Sequence, residues 1–299
     1  MNAESHFVEL DGERCIHLRR FPGEGQVLFL LHGAIENGRI FYSRSGRGLA
    51  PWLAERGYDV WVMDLGGRGG SRPRIARGSR YSQTDSILRE IPAAQDYIGQ
   101  QRPGVSQHWI AHSWGGVLMN AVLARFPERA RSVASLVFFG SKRRVRVWNL
   151  RRLLYVDLIW CWLSPLIVLL AGYLPARRLR FGSDDESRLS FSHGRRWVRE
   201  TRWVDPIDGF DYRAALAEQR LPPTLYLAGA ADAALGHPED VKRLMAESGK
   251  GKQRFLLLAK AEGYARDYGH IDMLTAPEAG EDHFPVVLDW LAEHGEGKG

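Results

Sequence analysis

Cysteine is nearly absent. The 299-residue sequence holds only Cys15 and Cys161. Two thiols cannot build a disulfide framework or a cysteine-rich zinc site, so a reducing, cytoplasmic setting is the expectation. The opening MNAESHFVEL lacks a basic stretch followed by an apolar run, so no secretory signal is expected. No repeat, low-complexity tract or nucleic-acid-binding motif stands out. Asp184-Asp185-Glu186 and His193 lack metal-ligand spacing and read as a solvated acidic loop, so neither a metal nor a cofactor is expected. What remains is ordinary globular composition, 44% hydrophobic and 25% charged. The length suits one α/β domain with an insertion, or two small domains. The oligomeric state is not legible.

Short apolar runs recur along the chain. Val27–Leu31, Val60–Met63, Trp109–Ala111, Val133–Phe139, Thr224–Ala228 and Phe255–Ala259 read as strands. Their hydrophobicity is continuous rather than alternating, which suits strands covered on both faces of a parallel sheet. Helical patterns lie between them, near 46–56, 85–100, 115–126, 238–247 and 282–293. This alternation predicts an α/β fold with a doubly wound, mostly parallel sheet. His6–Leu10 and Arg14–Arg19 suggest an antiparallel opening hairpin turned at Asp11-Gly12.

The alternation stops between about 142 and 213, and so does the charge balance. That stretch holds fifteen Lys/Arg against eight Asp/Glu, +7, while the whole chain is +6. We read 142–213 as a helical cap inserted into a core of 1–141 and 214–299. Within it, Leu153–Leu174 carries one charge, Asp157, and approaches the length of a membrane span. Ser164-Pro165 should break it into a helix pair. Arginines flank both sides without the asymmetry of a single span. The expectation is a hydrophobic lid whose inner face, rich in tryptophan (Trp148, Trp160, Trp162, Trp197, Trp203), lines an acyl pocket. Its arginine-flanked edge allows peripheral contact with anionic lipid, which ranks above nucleic acid as a partner.

The decisive segment is Trp109-Ile110-Ala111-His112-Ser113-Trp114-Gly115-Gly116. A strand enters, a serine follows with small residues two before and two after it, and a helix leaves. Such a strained turn lifts the hydroxyl above the sheet edge. It resembles the nucleophile elbow of α/β-hydrolases, with Ala111 where glycine is usual. Haloalkane dehalogenases and epoxide hydrolases of this fold use an aspartate at the elbow, and polyhydroxyalkanoate synthases a cysteine; here it is a serine. Leu31-His32-Gly33-Ala34 resembles the superfamily's oxyanion loop. The resemblance implies backbone N–H donors at Ala34 and Trp114, worth roughly 3–4 kcal/mol each to a tetrahedral intermediate. His32 reads as a structural hydrogen-bonder, and Asp64–Ser71 as a structural turn.

A serine hydroxyl needs a base, and an imidazole base needs a carboxylate to fix its tautomer. The family order is Ser, Asp, His. Asp232 follows the Thr224–Ala228 strand and His270 follows the last one, so both fit. Among the competitors, His283 is expected to face solvent, His237 lies in the loop beyond Asp232, and Asp272 is too close to His270. Asp205, Asp208 and Asp240 are alternative acids. The resemblance implies a serine esterase or lipase-like enzyme acting on a small, apolar ester. A thioesterase, C–C hydrolase or acyltransferase on the same triad, or a catalytically silent binding protein, stands as the alternative.

Overall fold

The computed structural model describes residues 3–295, so the outermost ends of the expected core, 1–2 and 296–299, lie outside it. One eight-stranded sheet organises the chain in the order β1-β2-β4-β3-β5-β6-β9-β10. The strands are β1 Glu4–Asp11, β2 Arg14–Phe21, β3 Val27–Leu31, β4 Asp59–Asp64, β5 Gln107–His112, β6 Val133–Phe139, β9 Thr224–Gly229 and β10 Gln253–Leu258. The first two form the expected hairpin and β2 pairs antiparallel with β4; from β4 onward every pairing is parallel. A doubly wound, mostly parallel sheet is therefore what the strand pattern builds.

Period-two alternation survives inside the continuous apolar runs. Phe29, Leu31, Trp109, Ala111, Leu136 and Phe138 point into one core layer. Leu28, Leu30, Ile110, Val137, Phe139 and Leu225 point into the other. Helices α1 (Leu49–Ala54) and α8 (Phe284–Glu293) cover the second layer; α2 (Ile91–Gln101) and α3 (Trp114–Arg125) cover the first. Each fully buried aliphatic or aromatic side chain contributes about 1.5–3 kcal/mol by leaving water. Truncating one, such as Phe138→Ala, should cost about 3–5 kcal/mol once the cavity is counted.

After β3 the chain adds β4 on one side and then β5 on the other. The carboxyl ends of β3 and β5 thus flank a crevice at a topological switch point, where open α/β sheets bind ligands. Over this end lies the chain between β6 and β9. It holds α4 (Leu150–Ala171), a two-stranded ribbon of β7 (Tyr173–Leu174) and β8 (Glu186–Ser187), α5 (Arg188–Arg199) and α6 (Tyr212–Glu218). Helix α7 (Pro238–Glu247) lies between β9 and β10.

Three expectations fail in this part of the chain. Leu150–Ala171 is one continuous helix, not a pair. Its stretch Leu153–Leu163 is wound as a π-helix, and the Ser164 N–H reaches the Ile159 carbonyl. Pro165 then falls in the first turn of the α-helical segment Ser164–Ala171, where a missing N–H is tolerated. The acidic run is not a solvated loop: Asp184 and Glu186 are buried. Of the five tryptophans, Trp160 faces the cavity beneath, Trp197 and Trp203 pack in the core with Tyr212, and Trp148 and Trp162 point outward.

Candidate active site

Ser113 sits between the end of β5 and the start of α3, with φ 51° and ψ −118°. That backbone is strained for a serine and is tolerated because neighbours crowd around it. Its N–H donates to the Phe139 carbonyl at 2.8 Å. A Cβ on Gly115 would lie 2.5 Å from the Leu31 carbonyl oxygen, so only glycine lets α3 start this close to β3. A Cβ on Gly33 would lie 2.9 Å from the Ser113 Cβ.

Residues distant in sequence converge on the hydroxyl. His270, in the loop after β10, places Nε2 2.9 Å from Ser113 Oγ. Its Nδ1 lies 2.6 Å from Oδ2 of Asp232, in the loop after β9. The other carboxylate oxygen of Asp232 accepts from the Leu235 N–H at 2.9 Å, which fixes the carboxylate plane. Burial holds the His270 imidazole below its ordinary pKa, against the pull of Asp232. Burial would raise the Asp232 carboxyl, but His270 outweighs it and brings the group down to about 2. At neutral pH the pair is a neutral imidazole beside a carboxylate. The Nδ1–H donates to Asp232, leaving Nε2 free to accept from the Ser113 hydroxyl.

His32 makes the structural bonds expected of it. Its Nε2 accepts from the Leu65 N–H at 3.1 Å, so Nδ1 carries the proton and donates to the Gly33 carbonyl at 2.8 Å. Ala34 and Trp114 both line the cavity that holds Ser113, and Trp114 is the first residue of α3, whose leading N–H groups have no partner within the helix.

The competing residues are occupied elsewhere. His237 caps α7. Asp240 accepts from the Arg146 N–H at 3.0 Å, Asp205 accepts from Thr84 at 2.9 Å, Asp208 pairs with Arg125 at 3.0 Å, and Asp272 pairs with Arg266 at 3.1 Å. His283 is fully buried rather than solvent-facing: it precedes α8 and its Nε2 donates to the Met273 carbonyl at 2.7 Å. Its place at a helix start concealed that the helix entry itself is covered by Tyr268 and Phe284.

Sequence reasoning missed the layer behind these groups. His112 Nε2 donates to the His270 carbonyl and His112 Nδ1 to Glu36, each at 2.9 Å. Both ring nitrogens donate, so His112 is an imidazolium. Burial alone would lower its pKa, but Glu36 outweighs burial and raises it. Glu36 also accepts from the Gly33 N–H at 2.9 Å, which ties the loop after β3, through His112, to the His270 backbone. Burial would raise the Glu36 carboxyl, yet His112 outweighs it and takes the group to about 2. Lys142 is buried in the same cavity wall, its ammonium held below the usual lysine value by burial.

The buried acidic run clamps the same loop from above. Glu186 accepts from the Ile35 N–H at 3.2 Å and pairs with Arg68. The Asp184 N–H donates to the Ile35 carbonyl at 3.1 Å. Ile35 itself has φ 50°, unusual for a β-branched residue and sustained by this clamp. The one advance signal was His112 beside Ser113; nothing in the sequence pairs 184–186 with 35.

The cavity over Ser113 has a volume of about 420 Å³ and is walled by Ile35, Val156, Trp160, Phe181, Phe191 and Val198. It is apolar, with a few convergent polar groups at its base, as small-molecule sites are. Among the described residues, no group of three or more His, Cys, Asp or Glu side chains could hold a metal ion.

A family model described as alpha/beta hydrolase fold matches residues 26–163. A bifunctional epoxide hydrolase 2 from Sus scrofa is 31% identical over 132 residues, which are 44% of this chain and 20% of that protein. A probable lipase from Schizosaccharomyces pombe is 27% identical over 139 residues, 42% of this chain and 31% of that protein. The chain thus spans a fifth to a third of these relatives' length. Among solved structures, an esterase from Exiguobacterium antarcticum superposes with a TM-score of 0.63 at 18% identity, covering 97% of this chain and all of that one. An N-acyl homoserine lactonase superposes at 0.62 with 17% identity over all of this chain and 99% of that one. The resemblance seen at the elbow holds for the whole architecture: the chain has the α/β-hydrolase fold.

Proposed function

We propose that this α/β-hydrolase-fold protein is a serine hydrolase that cleaves carboxylic esters with an apolar acyl group. The observation that carries the reading is the continuous hydrogen-bonded path from the Ser113 hydroxyl through His270 to Asp232, opening into an apolar cavity. Ser113 Oγ attacks the acyl carbonyl while its proton passes to His270 Nε2. The resulting imidazolium is stabilised by Asp232, and the oxyanion by the Ala34 and Trp114 amides. The carbonyl–oxygen bond breaks as His270 protonates the leaving alcohol. Water, deprotonated by the same imidazole, then releases the acyl group as an acid. Residues 142–213 act as a cap that supplies the acyl wall.

The cap's helix α4 supports peripheral contact with a lipid surface as part of this reading. Its inner side gives Val156 and Trp160 to the cavity, while Leu158, Trp162 (74% exposed), Leu169 and Leu170 (77%) face outward. Exposed Arg146 lies before it, exposed Arg151 in its first turn, and Arg177, Arg178 and Arg180 beyond it. An apolar face bounded by cations suits a helix lying in an anionic interface.

The test is fluorophosphonate labelling with Ser113→Ala as control, followed by an ester series of increasing acyl length. Labelling confined to the wild type and rates that rise with chain length are expected. An unlabelled native protein removes the enzyme reading, and a strong preference for acetate removes the apolar acyl group. Product analysis separates hydrolysis from transfer to an alcohol.

A further inference from the structure

Beside the catalytic cavity lies a second one, of about 860 Å³ and opposite character. Arginines from four separate segments line it: Arg19 from β2, Arg39 and Arg44 from the loop after β3, Arg74 from the loop after β4, and Arg177 from beyond α4. The two cavities share Arg39 and Ser183 in their walls, so one molecule can occupy both.

Two carboxylates also line this second space, and both are consumed by the fold. Asp64 accepts from the Gly38 N–H at 2.7 Å, the Gly70 N–H at 2.8 Å and His17 at 2.8 Å. Asp184 accepts from the Gly69 N–H at 2.6 Å and from Asn37 at 3.2 Å, with Arg74 at 3.4 Å. Among the described residues, Arg39 and Arg44 make no side-chain hydrogen bond or ion pair, and Arg19 bonds only the neutral Ser5 hydroxyl at 3.0 Å. Five arginines thus line a space whose two carboxylates are already committed, one of them in part to Arg74.

We infer that this cavity is a leaving-group subsite for acyl donors whose alcohol or thiol side carries a phosphate. The inference rests on reading Ser113 as the acyl acceptor. A carboxylate satisfies one guanidinium fork, whereas a phosphate dianion offers enough oxygens for several converging forks. An apolar acyl chain occupies the catalytic cavity, the scissile carbonyl sits at Ser113, and the phosphate passes Arg39 into the arginine-lined space. Ser113 Oγ bonds to the carbonyl carbon, the carbon–oxygen or carbon–sulfur bond breaks, and the phosphate-bearing alcohol or thiol leaves with the proton from His270. Water then completes the hydrolysis.

The experiment compares kcat/KM for three donors with one acyl chain: 1-octanoylglycerol, 1-octanoylglycerol 3-phosphate and octanoyl coenzyme A. Each is measured in the wild type and in an Arg44→Ala/Arg177→Ala variant, at low and moderate salt. Both substituted arginines are exposed and lie outside the catalytic cavity. The wild type should favour a phosphate-bearing donor over the neutral glyceride by about tenfold or more, the equivalent of one or two charge-assisted hydrogen bonds. That preference should shrink about fivefold or more in the variant and fall as salt rises. Preference for the glycerol phosphate alone identifies a lipid headgroup, and preference for the thioester alone a nucleotide-linked carrier. Equal or better turnover of the neutral donor in the wild type overturns the inference, as does a preference that survives both arginine substitutions. If neither phosphate donor is turned over while Ser113 is still labelled by a fluorophosphonate, the subsite falls and the hydrolase reading stands. Loss of labelling sinks both.

Discussion

Asp232→Asn isolates the role of one carboxylate with almost no change in shape. In the native loop Oδ1 accepts the Leu235 N–H at 2.9 Å, and Oδ2 faces His270 Nδ1 at 2.6 Å. An asparagine must keep its carbonyl oxygen toward Leu235, because its amide would otherwise present a donor to a donor. That orientation turns the NH₂ toward His270 Nδ1, which then has to accept. The imidazole proton moves to Nε2, where it faces the Ser113 hydroxyl and cannot take its proton. The counter-charge for the imidazolium is lost as well. With charges about 4 Å apart in an effective dielectric of about 20, that loss is about 4 kcal/mol. At about 1.4 kcal/mol per decade this is about a thousandfold, and the wrong tautomer adds to it. The expected fall in kcat is about 10³–10⁴-fold with little change in KM, measured with a soluble nitrophenyl ester on protein whose far-UV circular dichroism matches the wild type. A folded variant within about tenfold of wild-type kcat would refute the reasoning, since the carboxylate would then be holding nothing that the reaction uses.

Four further outcomes follow from the structure. The base works only when neutral, and burial lowers the His270 pKa, so the acid limb of kcat/KM should have its midpoint below 6.5; a midpoint above that value contradicts the neutral buried imidazole. The Glu36 and Asp232 carboxyls, both held at about 2 in the fold, contribute stability that is complete above their ordinary values of 4.5 and 3.8 and is lost as pH falls toward 2, so thermal melts should decline across that window. Glu186→Gln leaves the Arg68 cation buried without its anion, at about 3 kcal/mol, so Tm should drop by roughly 5 °C or more and kcat should fall as the Ile35 clamp loosens; an unchanged Tm would show that the pair contributes nothing. Trp162→Glu on the outer side of α4 should reduce co-sedimentation with anionic vesicles several-fold while hydrolysis of a soluble ester is kept; equal binding by both proteins would remove the lipid contact.

The local pattern of residues determined a good deal by itself. Continuous apolar runs bounded by turns are decided within a few residues of chain, so the strands, their parallel layering and the strained turn at Ser113 could be read before any coordinates. The order of Asp232 and His270 after later strands was legible for the same reason, because the carboxyl ends of parallel strands all face one edge. Other features required the chain to be folded. Pro165 should have ended a helix, and only the π-wound turns before it, with the Ser164 N–H reaching Ile159, allow the helix to continue. Asp184 and Glu186 look like a solvated run until folding places the Gly69 and Ile35 N–H groups and the Arg68 guanidinium against them. Glu36 and His112 carry opposite charges because they are buried 2.9 Å apart, at 76 positions' separation. Burial, pKa and ion pairing depend on distances between segments that share no local signal, and that is why the Glu36–His112 layer behind Ser113 and His270 and the arginine-lined cavity emerged only from the tertiary structure.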